Sequence, residues 1–267
     1  MPASALAPAV LALVTLGLAG PPSAGAQTVA TLSAHFTPLQ LGGRTTLDFG
    51  FAFSAPAREV PPPLTEVQLR YPGNLGIGLS GLGLAQCSPQ ALEASGPSGC
   101  PADSVMGYGV AYTGIVLGTT PVAEDAPITV FRAPDQQGHL ALLFNAEGVA
   151  PVQTRIVFPG LLLPAPSPFG GLVSIGIPLV PTLPGAPYIS VIHLRATIGP
   201  QRVTYYERVG GVTLAYKPRG ILLPGGCPRS GFPFAARFGF ADGSFSSAQT
   251  NIACPDPRRH RRARPRR

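Results

Sequence analysis

The chain has 267 residues, 45% of them hydrophobic and 12% charged, a balance too apolar for a disordered protein. It carries 33 glycines, 33 prolines and no tryptophan, which excludes a mainly helical fold and demands frequent turns. The formal net charge of +7 is concentrated at one end, in Arg258, Arg259, Arg261, Arg262, Arg264, Arg266 and Arg267. Without those seven arginines and Asp256, the 19 basic and 12 acidic groups become 12 and 11, so the body is near neutral and no globally basic nucleic-acid-binding domain is expected.

Residues 5–20 are almost wholly apolar, and Ala24-Gly25-Ala26 fits a small-x-small cleavage site. The pattern predicts a signal peptide over 1–26 and a mature start at Gln27. No Lys or Arg precedes the apolar run, a departure that an upstream start codon would explain. A membrane anchor is the competing reading, but the run is short and Pro8 interrupts it. The expected location is secreted or extracellular, peripheral to the cell surface, with no transmembrane segment in the mature chain.

In residues 45–53, Leu47, Phe49, Phe51 and Phe53 fall on one side of a period-two pattern, as in a half-buried strand. Gly76, Gly78 and Gly81 match G-x-G-x-x-G, but the helix that a dinucleotide site needs does not follow, so a glycine-rich surface loop is expected. Ser88, Pro89 and Gly96 outline the one short helix, as cap, first turn and stop. Met106, Tyr108, Val110 and Tyr112 alternate with small residues in a further strand. Residues 118–126 could mark a boundary, yet a single domain over 27–255 is favoured.

Residues 128–131 and 140–144 read as a hairpin across a compact turn. In residues 188–198, Ile192 and Leu194 are expected to point inward and His193 and Arg195 outward. Residues 203–208 and 212–216 form a second hairpin across Gly210-Gly211. Phe232, Phe234, Phe238 and Phe240 share one face of a strand that turns at residues 241–244 into residues 245–253. These strands predict an all-β, antiparallel β-sandwich with Pro/Gly-rich loops, one short helix and a disordered basic tail over 256–267.

The cysteines lie in two local pairs, and Cys87–Cys100 and Cys227–Cys254 are the expected disulfides. A zinc site is disfavoured by the lack of Cys-x-x-Cys and of histidines at ligand spacing. No G-x-S-x-G elbow and no paired-carboxylate motif is recognised, so no catalytic, metal or cofactor-binding residue is assigned.

Two stretches resemble a group of uncharacterised secreted proteins of high-GC Gram-positive bacteria. The first begins at Tyr71-Pro72-Gly73-Asn74-Leu75 and ends at Gly99-Cys100-Pro101 through Gly109; the second runs from Cys227-Pro228 to Cys254-Pro255. The resemblance implies a secreted β-rich protein with paired cysteines and brings no activity with it. The expected function is that of a secreted, non-catalytic protein held at the cell envelope by its tail. Its expected partners are an anionic envelope polymer or lipid headgroups. The alternative is an extracellular hydrolase acting on carbohydrate or lipid, whose acids or Ser–His pair folding alone would bring together.

Overall fold

Alternation of apolar and small or polar residues dominates the chain, and its regular structure is mostly antiparallel strand. The computed structural model describes residues 28–55, 60–77, 82–117, 120–182, 185 and 187–255. The predicted leader and the basic tail, including all seven of its arginines, lie outside the described residues. So does part of the Gly76–Gly81 motif, although Gly76 itself is bridged to Leu222.

The strands are β1 (Val29–Thr37), β2 (Arg44–Ser54), β3 (Leu64–Pro72), β4 (Val105–Leu117), β5 (Thr120–Gln136), β6 (His139–Glu147) and β7 (Arg155–Pro164). They continue as β8 (Phe169–Gly176), β9 (Ser190–Ile198), β10 (Tyr205–Val209), β11 (Val212–Tyr216), β12 (Ile221–Leu222), β13 (Phe232–Phe240) and β14 (Phe245–Ile252). Eleven of them follow one path, β1-β2-β9-β4-β5-β6-β7-β8-β3-β13-β14, with β12 paired to β2. The expected antiparallel all-β architecture is therefore realised as one sheet curled into a nearly closed, barrel-like sandwich.

Register explains why one face of this sheet is almost wholly apolar. Leu47 lies opposite Ile198, Ile198 opposite Gly107, Gly107 opposite Val130, Val130 opposite Phe144, and Phe144 opposite Phe158. On the far side, Gly160 lies opposite Ile175, Ile175 opposite Val67, and Val67 opposite Phe238. Directly opposed residues share a face, so the inward set passes from strand to strand around the barrel. The other face carries His35, Asp48, Glu66, Gln68, Arg70, His193, Arg195 and Arg237 in the same registers.

Curvature comes with bulges. A register shift between Val105 and Gly107 turns Met106 into the interior, where it is 2% exposed, while Tyr108 stands on the outer face. A second shift, between Tyr112 and Thr113, corrects one expectation. Ile192 is the extra residue on β9 and packs with Val60 over Gly114, so Val191 takes its place on the inner face beside Leu194. His193 and Arg195 occupy the outer face, as the alternation predicts.

The seam lies between β1 and β14, where no ladder forms but the Ala30 N–H donates to Ser246 Oγ at 3.1 Å. Behind it the two phenylalanine-rich strands meet. Phe238 stands 4.8 Å from Phe51 and 4.9 Å from Phe53, centroid to centroid, and Phe53 stands 5.2 Å from Phe240. Phe36 meets Phe232 edge-on at 5.5 Å. The phenylalanine ladders are core, and aromatic contact across the interior holds the two ends of the sheet together.

The helix forms where the sequence places it. In α1 (Pro89–Ser95), Ser88 Oγ accepts from the Ala91 N–H at 3.1 Å, and Gly96 ends the helix at φ 64°. Leu92 packs with Cys87, Cys100, Phe131, Ala133 and Leu143 on the outside of β5 and β6, covering an apolar patch of outer surface. The β10–β11 hairpin is a separate two-stranded sheet, turned by Gly210 (φ 57°) and Gly211 (φ 84°), the positive values a tight hairpin requires.

Candidate functional site

The inward-facing side chains do not fill the barrel. They leave a cavity with about 200 Å³ open to the centre of a water-sized sphere. One water needs roughly 10–15 Å³ on that measure, so the space is an order of magnitude larger. Phe49, Phe144, Ile156, Val173, Ile175 and Leu194 line it and keep accessible surface there, which is why they are only partly buried inside a barrel. The cavity surface is almost wholly apolar. Protein interiors have few voids larger than a water molecule, so a space of this size is a distinct feature of the barrel.

Among the described residues, two titratable side chains line the lumen, Tyr71 and Glu124. Burial raises the Tyr71 hydroxyl above its usual pKa of 10.0, so it stays neutral. Glu124 is on β5, one alternation from Ala126 and two from Ile128, and is 4% exposed. Neither Oε1 nor Oε2 finds a hydrogen-bond partner among the described residues. Its surroundings are already committed. Thr113 Oγ1 donates to the Glu124 carbonyl at 3.2 Å, and the Gly148 N–H donates to the Thr154 carbonyl at 2.7 Å. Thr113, Gly148 and Thr154 also line the cavity beside it.

Other acids behave differently. Asp48 accepts from Thr197 at 2.7 Å, Glu147 from Arg155 at 3.0 Å, Glu207 from the Ala102 N–H at 3.0 Å, and Asp242 from Ser244 at 2.6 Å. These bonds belong to strand faces, turns and loop anchors. They do not converge on the lumen, and no Ser–His contact lies in its lining among the described residues.

Both expected disulfides are present, with Cα–Cα distances of 5.1 Å for Cys87–Cys100 and 5.8 Å for Cys227–Cys254. Their spans of 13 and 27 residues remove roughly 3 and 3.5 kcal/mol of unfolded-chain entropy on a loop-closure estimate. Neither lines the lumen. Cys87–Cys100 fixes the outer helix, and Cys227–Cys254 brackets the β13–β14 hairpin. The Tyr205 hydroxyl, against the outer apolar cluster, is pushed up to about 12, first by burial and then by Tyr108 and Tyr216. Groups of three or more His, Cys, Asp or Glu side chains able to hold a metal do not occur among the described residues.

Sequence reasoning missed the lumen and Glu124. The signal for Glu124 was present: it shares parity with Ala126, Ile128 and Val130 and so falls on the apolar side of its strand. Comparison with known protein families, with curated proteins and with solved structures finds no match to this chain.

Proposed function

We propose that the protein is an exported, non-catalytic carrier that holds an apolar small molecule in the lumen of its barrel. The observation that carries this reading is the cavity itself: about 200 Å³ and lined almost wholly by apolar surface. An apolar cavity gains little from water and much from an apolar ligand. The polar outer face suits a barrel surrounded by water, and reverses the apolar-outside arrangement of membrane barrels. No helix among the described residues is long and apolar enough to cross a membrane. The leader and the two oxidised cysteine pairs support an extracytoplasmic location, where disulfides persist. The arginine tail supplies the means of staying near the envelope, by attraction to anionic polymers or lipid headgroups.

The test is titration of full-length protein with the uncharged fluorophore N-phenyl-1-naphthylamine. Saturable one-to-one binding with a blue-shifted emission is expected, competed by medium-chain aliphatic compounds. Ala126→Trp, which fills the lumen, should abolish it while the thermal transition remains cooperative. Absence of binding to the parent, or equal binding to the filled variant, overturns the carrier reading.

A further inference from the structure

We propose that the β10–β11 hairpin is a docking tip for an anionic lipid bilayer, its valine-flanked end entering the headgroup region and its basic residues meeting the phosphates. The inference deepens the envelope reading, naming lipid as the surface met and the hairpin as the part of the barrel that enters it. It is independent of what the lumen holds. The hairpin is a two-stranded sheet of its own. It is fastened to the barrel through Tyr205, which packs against the outer apolar cluster, and Glu207, which accepts from the Ala102 N–H at 3.0 Å. The face that carries these two then runs out into solvent. Leu214 lies opposite Glu207, and Val209 lies opposite Val212 one alternation further on. The three aliphatic side chains are 51%, 49% and 60% exposed, in that order, and Tyr206 on the other face is 70% exposed.

Turns that face water carry polar side chains, as others in this chain do. The β5–β6 turn has Asp135, Gln136 and Gln137, and the β13–β14 turn has Asp242 and Ser244. The β10–β11 turn is Val209-Gly210-Gly211-Val212, with no polar side chain. A lone two-stranded hairpin is marginal in water, and an apolar face left open on one marks a contact surface. Charge selects the partner. Residues 202–219 hold Arg202, Arg208, Lys217 and Arg219, all exposed, against one acid, Glu207, in a body that is near neutral as a whole. Counting Asp103, which stands near Tyr216, positive charge still prevails. An apolar tip with a basic collar complements an anionic bilayer, whereas a second copy would set like charge against like. The amphipathic ring of Tyr206 suits the same interface. A small apolar tip and a basic tail are each marginal anchors, and stable attachment takes two such signals together. The tail captures the surface, and the hairpin enters it.

The chain has no tryptophan, so a single introduced one reports its own surroundings. Full-length Val212→Trp is mixed with vesicles of phosphatidylglycerol and phosphatidylcholine, with and without bromine in the acyl chains. Its emission should shift to the blue on binding and be quenched by the brominated lipid. Phe245→Trp, at an exposed position on β14, should bind equally and show neither change. Adding Val209→Ser and Leu214→Ser to Val212→Trp should abolish the shift and the quenching. Arg208→Gln and Lys217→Gln should each weaken partitioning about fivefold, the factor one cation near an anionic surface supplies. All these side chains are exposed, so the fold is not at stake. Retention on the vesicles without shift or quenching of the Val212→Trp emission overturns the docking and leaves the tail as a tether. A lipid-free dimer of the parent, dissociated by Val209→Ser with Leu214→Ser in sedimentation equilibrium, would assign the face to a second copy and overturn it equally. Absence of any retention of the parent removes the lipid surface and this inference together.

Discussion

Gly148 lies so close to Glu124 that a Cβ on the glycine would stand 2.8 Å from Oε1, and only 2.3 Å from the Val152 carbonyl oxygen. The position is closed to any side chain, and backbone forms half of the obstruction. Gly148→Ala should therefore destabilise the fold by about 1–3 kcal/mol, as overpacking of a rigid site does. Urea unfolding measures this directly. An unchanged midpoint would mean that the segment after β6 yields freely, and that the Glu124 pocket is not rigidly walled.

Phe238 is fully buried between Phe51 and Phe53, behind the seam. Phe238→Ala should cost about 3–5 kcal/mol, from the loss of a buried ring and the cavity left behind. Phe49→Ala should cost less, because that ring faces a space already empty. If the two variants unfold at the same denaturant concentration, aromatic contact does not hold the seam.

His193 stacks on Tyr112 on the outer face, with centroids 3.9 Å apart. Its pKa is lowered from 6.5, by burial first and then by Arg195, with Asp125 opposing. The fold thus prefers neutral imidazole. Its contribution to stability is fully present above pH 6.5 and is lost as pH falls through the lowered folded value. An NMR titration of the imidazole protons should find a midpoint below 6.5, raised by Arg195→Ala and lowered further by Asp125→Asn. A midpoint at or above the ordinary histidine value would contradict this account.

The arginine tail should attach without stabilising. Deleting residues 257–267 should leave the thermal midpoint unchanged and abolish retention on vesicles containing phosphatidylglycerol. For the full chain, retention should fall as salt rises, since the screening length drops from about 10 Å at 0.1 M to about 3 Å at 1 M. Retention of the truncated chain equal to that of the parent would place attachment on the barrel.

Much of the strand inventory was legible because local pattern decides it. The Phe232–Phe240 strand, its Asp242-Gly243 turn, the Gly210-Gly211 hairpin and the capped helix are each written in a few adjacent residues. What local pattern cannot write is which distant strands pair. β2 with β9, and β3 with β8 and β13, join segments far apart in the chain, and those pairings turn a set of hairpins into one curled sheet. The Ile192 placement failed for a related reason: a bulge opposite Thr113 shifts parity by one, and alternation does not announce it. Glu124 was overlooked because Pro121, Asp125 and Pro127 around it read as a break in a strand that in fact continues.

The seam has a temporal meaning. Among the described residues, the strand that completes the wall, β14, is the last, and it comes to rest beside β1, the first. The barrel therefore cannot be complete until residues 245–252 are available, however many hairpins have formed before them. Contacts of such long sequence span are slow to form because loop closure precedes any gain from pairing. If the chain is exported in extended form, as proposed, it has no interior to load during the crossing. A ligand of the proposed carrier would then be met after the crossing, on the side where the last strand arrives.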